Sequence, residues 1–243
     1  MALIDEGPPN WSAVIWPILA GVGFFLGHVL TYAAIRLGDV SVQAPMMGTK
    51  VVFVATFSVL VGAGPVPLVW WIGAGLTAVA IFLLGFSDWS NRRAVWKTAA
   101  MALAASSVFG LTDALVMKHA PLFGPGYFLT VLNTVMLVLS FGMIPFFKEP
   151  LRAIPKNAWG WLIGGALCMS LQALGIGTAI AFWGDATAVN IIYASRGLWG
   201  IVLVWFIGSW FGNREREAGG AVMRRRFAGA ALLCVAIALV LVG

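Results

Sequence analysis

Charge is the scarcest property of this sequence. Asp, Glu, Lys and Arg make up 10% of its 243 residues, against roughly 25% in a soluble domain. The apolar share of 61% and the mean hydropathy of +0.95 exceed what the interior of a water-soluble fold of this size can hide. The solvent is therefore a bilayer. Cysteine is nearly missing: Cys168 and Cys234 each lie inside an apolar run, which excludes a disulfide framework and predicts a packing role for both. There is no His, Asp or Cys cluster with metal-ligand spacing, no glycine-rich phosphate loop and no Ser-His-Asp set. No catalytic residue, metal site or cofactor is expected, and the chain reads as something other than an enzyme. Residues 1–10 are acidic through Asp5 and Glu6 and lack the basic region that opens a secretory signal.

Long apolar runs are what the chain has in abundance. About 20 apolar residues in a helix cross a hydrocarbon core of about 30 Å. On that measure the sequence predicts an all-α integral membrane protein of about eight transmembrane helices, at 11–37, 40–64, 66–85, 98–120, 124–147, 158–183, 187–212 and 227–243. Pro65 and Pro67 separate the second span from the third, and Gly124-Pro125-Gly126 opens the fifth.

A net charge of +6 could suggest nucleic acid, but the bases fall in the gaps between apolar runs. Loops after spans one, three, five and seven hold Arg36; Arg92, Arg93 and Lys97; Lys148, Arg152 and Lys156; and Arg214, Arg216, Arg224, Arg225 and Arg226. The opposite side holds Lys118 alone. The positive-inside rule puts the basic loops in the cytoplasm and both termini across the membrane. Trp11, Trp70, Trp71, Trp96, Trp159 and Trp183 fall near span ends, as an interfacial aromatic belt requires. The pairs Gly23 and Gly27, Gly160 and Gly164, and Gly208 and Gly212 have the four-residue spacing of close helix contacts.

The chain also repeats itself. Residues 38–50 align without gaps on 184–196, and Gly73-Ala74 and Val79-Ala80-Ile81 match Gly229-Ala230 and Val235-Ala236-Ile237. The matched turns Gly38-Asp39 and Gly184-Asp185 follow spans one and six, which the charge count puts on opposite sides of the membrane. The repeat is thus inverted, as in many secondary transporters. Residues 1–97 form the first copy with three spans, and 98–243 the second with five.

In these features the chain resembles the drug/metabolite transporter superfamily, in particular its EamA-type members of ten helices in two inverted five-helix halves. The resemblance is carried by Ala188 to Gly197 with its Ser195-Arg196-Gly197, by the turn before it, by Gly229-Ala230-Ala231-Leu232-Leu233, and by Ser41-Val42-Gln43-Ala44-Pro45 and Gly73-Ala74-Gly75-Leu76 in the first half. It implies a three-plus-five portion of a five-plus-five plan, with the first two family helices absent from this chain. It also implies transport of amino acids, nucleotide precursors, sugar phosphates or other metabolites.

Ionisable residues within a span are functional candidates by default, because burying them costs several kcal/mol. Lys50 and Arg196 occupy equivalent positions in the two copies, near mid-bilayer. Two facing cations would hold an anionic substrate through charge-assisted hydrogen bonds, with Asn190 and Tyr193 one turn from Arg196 as further substrate contacts. Asp113 and His28 are the coupling or ion-pair candidates. Asp113 can carry a coupling proton, pair with one of the cations, or pair at the membrane edge near Lys118 and His119. Asn133 and Gln172 can add hydrogen bonds around a cavity.

The expected function is that of a secondary transporter of a small metabolite in the plasma (bacterial inner) membrane, anionic where the two cations hold it. Its partners would be membrane lipids, the small-molecule substrate and, as a homodimer, a second copy, with no nucleic acid. A membrane-embedded enzyme or carrier factor acting on an anionic lipid, and an accessory protein without transport of its own, stay open.

Overall fold

The computed structural model describes residues 7–37, 43, 46–85, 92–147, 151–196, 199, 202–203, 206 and 220–242, and among them every regular element is helical. The helices are α1 (Ile15–Leu37), α2 (Lys50–Leu60), α3 (Leu68–Gly85), α4 (Arg92–Phe123), α5 (Pro125–Phe141), α6 (Lys156–Trp183), α7 (Ala186–Tyr193) and α8 (Gly220–Val242). Segments Trp11–Leu37, Val95–Phe123, Pro125–Phe146 and Lys156–Trp183 are long and apolar enough to cross a membrane. This is the make-up of a helical membrane protein.

Glycine and proline set the breaks. Gly62 and Gly64 take positive φ values of 66° and 158° in the turn that leads through Pro65 and Pro67 into α3. Gly124, at φ 98°, hands the chain to Pro125 at the first turn of α5. Gly184, at φ 75°, closes α6 with its N–H donated to the Ile180 carbonyl.

Large and small side chains are distributed in the reverse of a soluble protein. The buried set is rich in alanine, including Ala20, Ala34, Ala55, Ala74, Ala80, Ala102 and Ala236. Leu60, Leu68, Trp161, Leu171 and Phe227 are exposed. Helices in lipid gain little by hiding leucine from lipid chains, so small residues take the interfaces and let backbones approach. An ideal Cβ on Gly110 of α4 would stand 2.7 Å from the Phe53 Cβ and 3.0 Å from backbone atoms of α2. On α1, Gly23 faces Thr112, Gly27 faces the Phe109 ring, and Gly21 faces the Leu132 carbonyl of α5. The expected Gly23 and Gly27 contact is present. Gly160 and Gly164 instead have nothing within 4 Å, because that face of α6 is exposed. Gly208 and Gly212 lie outside the described residues.

α1 lies along α4 and α5, α2 against α4, α3 and α7, and α3 along α8. Ser106 reaches the Met46 carbonyl and Lys118 the Val61 carbonyl, so α2 and α4 run side by side in the same direction. Gly73 meets Ala236 and Val240, while Gly229 meets Ala80 and Leu84, so α3 and α8 are antiparallel.

Several boundaries depart from expectation. In the second span Gln43, Met46 and Met47 are helical, and after a turn at Gly48 and Thr49 the helix resumes at Lys50 as α2; α4 runs from Arg92 through to Phe123, with Pro121 accommodated in its last turn. α8 starts at Gly220, so Arg224 and Arg225 are helical and exposed rather than part of a loop. Most of span 187–212 beyond α7 lies outside the described residues, as do Gly38-Asp39, Lys148, Arg214 and Arg216. Cys168 and Cys234 are both free thiols on exposed faces, not packed ones. In an apolar helix of a membrane protein, an apolar side chain is at ease facing outward.

Candidate functional site

The polar chemistry of this apolar bundle gathers where α2, α4 and α7 meet. Lys50, the first residue of α2, places its Nζ 2.8 Å from Oδ2 of Asp113 on α4. The Lys50 side chain is 15% exposed and that of Asp113 0%. Asn190 of α7, also buried, donates from Nδ2 to the same Asp113 Oδ2 at 2.8 Å and to its own helix at the Ala186 carbonyl at 2.9 Å. Those two acceptors fix which way the amide points. Oδ1 of Asp113 and Oδ1 of Asn190 are buried with no hydrogen-bond partner among the described residues.

The geometry chooses between the alternatives left open for Asp113. Its partner is Lys50, not Lys118, which donates to the Val61 carbonyl at the end of α2 and so serves as a helix cap. The pair is neutral overall, so Lys50 is not one of two uncompensated cations. Arg196 is exposed, bonds to the Tyr193 hydroxyl and stacks 4.4 Å from the centre of that ring. Gln172 of α6 lies close to the Tyr193 hydroxyl. Tyr193, Arg196 and Gln172 thus make a second polar group, one turn beyond Asn190.

His28 donates from Nδ1 to the Phe24 carbonyl, 2.8 Å away, and meets the Phe109 ring edge-on at 5.1 Å. Lys50 sits over that same ring at 5.6 Å. Phe109 was not among the expected site residues, yet its place one turn before Asp113 on α4 is the signal that would have found it. Asn133 donates to the Leu129 carbonyl, Thr130 to Gly126 and Thr134 to Thr130. All three line a cleft of about 300 Å³ with Leu129, Leu137 and Leu174. Both threonine hydroxyls and one Asn133 N–H are committed to their own helix, which leaves that cleft largely apolar in character.

Lys50 and Arg196, which the alignment of 38–50 on 184–196 matches, share one local geometry. Gly48 and Thr49 form a turn that interrupts the helix just before Lys50, and Ala194 and Ser195 form one just before Arg196. In each, the backbone closes with an i to i+3 bond at the equivalent residue: Thr49 N–H to the Met46 carbonyl at 3.1 Å, and Ser195 N–H to the Ile192 carbonyl at 3.0 Å. The tightened turn is where an α-helix gives way to 3₁₀ geometry. No group of three or more His, Cys, Asp or Glu residues suited to a metal occurs among the described residues. No family model, curated protein or solved structure matches this chain.

Proposed function

We propose that this chain is a secondary transporter that moves a small anionic metabolite across the cytoplasmic membrane by alternating access. The observation that carries the reading is the pair of matched helix breaks, each opening directly onto a cation at an equivalent position of the internal repeat. Discontinuous helices at the interface of inverted repeats are where such transporters bind their solutes. Contacts between repeat equivalents support the same plan: α2 packs on α7, and α3 packs antiparallel on α8. A two-fold axis in the membrane plane would run between the members of each pair.

On this reading the chain follows the EamA-type plan of the drug/metabolite transporter superfamily, with eight spans in an inverted three-plus-five arrangement and its basic loops cytoplasmic. Lys50 contacts the solute from one break, and Asn190, Tyr193 and Arg196 from the other. On this reading the chain is not an enzyme, and the Lys50–Asp113 pair ties α2 to α4 beside the solute's path.

The test is a thermal-stability screen of the detergent-purified protein against phosphorylated, carboxylate, cationic and neutral metabolites, with Lys50→Gln and Arg196→Gln alongside. A ligand that binds the folded state alone raises stability as RT ln(1 + [L]/Kd). Stabilisation of the wild type by anions, lost in both variants and followed by uptake of those anions unchanged into proteoliposomes, is the expected result. A response to neutral or cationic solutes, or one that survives both substitutions, overturns the anionic assignment. Chemical conversion of the solute overturns transport.

A further inference from the structure

The cluster of Lys50, Asp113 and Asn190 is one hydrogen short. The Asn190 amide already donates to Asp113 Oδ2, and each residue keeps one further acceptor, its Oδ1, buried and with no partner among the described residues. Buried acceptors without donors are rare, because each forfeits its hydration for nothing. A carboxylic acid and a primary amide are complementary in a way that a carboxylate and an amide are not. The acid offers one carbonyl oxygen to the amide N–H and one hydroxyl to the amide oxygen.

We propose that Asp113 and Asn190 form a proton-binding pair, in which a proton taken up on Asp113 Oδ1 is donated to Asn190 Oδ1. The step forms one O–H bond, with the proton supplied by bulk water, and breaks none within the protein. It removes the negative charge of Asp113 and leaves Lys50 as an uncompensated cation. Lys50 is the partly exposed member of the pair and Asp113 the sealed one, so the freed charge is the one that a solute can reach. Proton and anion then load together with no net change of charge, and this second half rests on the transporter reading above.

A proton is favoured over a metal cation because a single hydrogen satisfies both orphan oxygens. A bound sodium ion would need several more oxygen ligands. The other ionisable groups around the pair are few. Lys50 comes from α2, Tyr193 from α7 within electrostatic range of Asp113, and His28 from α1 lies behind Phe109. α3 and α5 carry no charged residue, and on α6 the one charged residue is Lys156 at its start.

Infrared difference spectroscopy of the full chain, reconstituted in phosphatidylcholine–phosphatidylglycerol vesicles and titrated in pH, tests the pair without any substrate. The expected result is a carboxylic-acid carbonyl band that grows on acidification. It should be absent in Asp113→Asn and shifted to higher frequency in Asn190→Leu, where the hydroxyl loses its acceptor. Asp113→Asn keeps the amide-to-oxygen bond and supplies an N–H where the acid supplied its hydroxyl, so its melting temperature should match that of the acidified wild type and vary less with pH than the wild type's does. An acid band unchanged in Asp113→Asn, or one displaced by sodium at constant pH, overturns the proposal. If the band behaves as expected but inorganic phosphate and succinate neither bind nor move, the proton pair stands and the transporter reading falls. If those anions move at the same rate with and without a proton gradient in the wild type, the transporter reading stands and the proton pair falls.

Discussion

Replacing Lys50 by methionine should be the most destabilising single change in the cluster. The ammonium and the Asp113 carboxylate stand 2.8 Å apart. At an effective dielectric constant of about 20 their attraction is about 6 kcal/mol, most of it offset by the cost of desolvating both ions. Removing the lysine keeps the desolvation cost of Asp113 and discards the attraction. Methionine preserves the length of the side chain, so packing changes little. With Asp113 at 0% exposure and Oδ1 already unpartnered, the loss should reach about 3–5 kcal/mol, measured at alkaline pH where the carboxyl is ionised. Asp113→Asn keeps the contact with Asn190 and leaves a lysine that water can reach, so its loss should be smaller, about 1–2 kcal/mol. The double variant has no charge to strand. It should fall short of the sum of the single losses by about 2 kcal/mol or more. Unfolding in mixed micelles titrated with SDS reads all three. Single losses that add to within about 0.5 kcal/mol would mean the two residues do not act as a pair, and the account of the cluster would be wrong.

The glycines provide a contrast within one protein. Gly110→Ala should cost about 1–3 kcal/mol in the same assay, because its Cβ would meet α2 backbone atoms at 3.0 Å. Gly164→Ala, with nothing within 4 Å, should leave stability unchanged or raise it by up to about 1 kcal/mol through helix propensity. At Gly184, where φ is 75°, alanine should cost about 1–2 kcal/mol, read as a lower melting temperature. Lys118→Met should cost about 0.5–2 kcal/mol by uncapping the Val61 carbonyl, with anion binding unchanged in the thermal-shift screen.

Much of the helical layout was legible because the bilayer imposes a length on apolar runs, and the positions of α1, α4, α5 and α6 follow from that alone. α2 and α7 were legible less well. Each is cut by a turn next to a cation, and Gly48 or Ala194 within an apolar run is no different in composition from glycine or alanine inside an unbroken helix. Lys50 and Asp113 stood out as charges in apolar surroundings, but their pairing did not. Sixty-three residues separate them, and the choice of Lys50 over Lys118 depends on which turn of α4 lies beside the start of α2. The small-residue spacing misled at Gly160 and Gly164 for a related reason: periodicity identifies a smooth face without saying whether another helix occupies it.

The close approach of α4 to the α2 backbone, at Gly110 against Phe53 and Val54, can serve as a fulcrum. A rigid tilt of one helix over the other turns about the point where the two cannot come closer, and displacement grows with distance along the arm. Asp113 is three residues from Gly110, an arm of about 4–5 Å, while Lys118 is eight residues away, an arm of about 12 Å. A tilt of about 10° therefore moves the helix axis by under about 1 Å at the charge pair and by about 2 Å at the Lys118 end. The ion pair sits near the still point of the lever, where it can hold through a swing that loosens the cap on α2 at the far end.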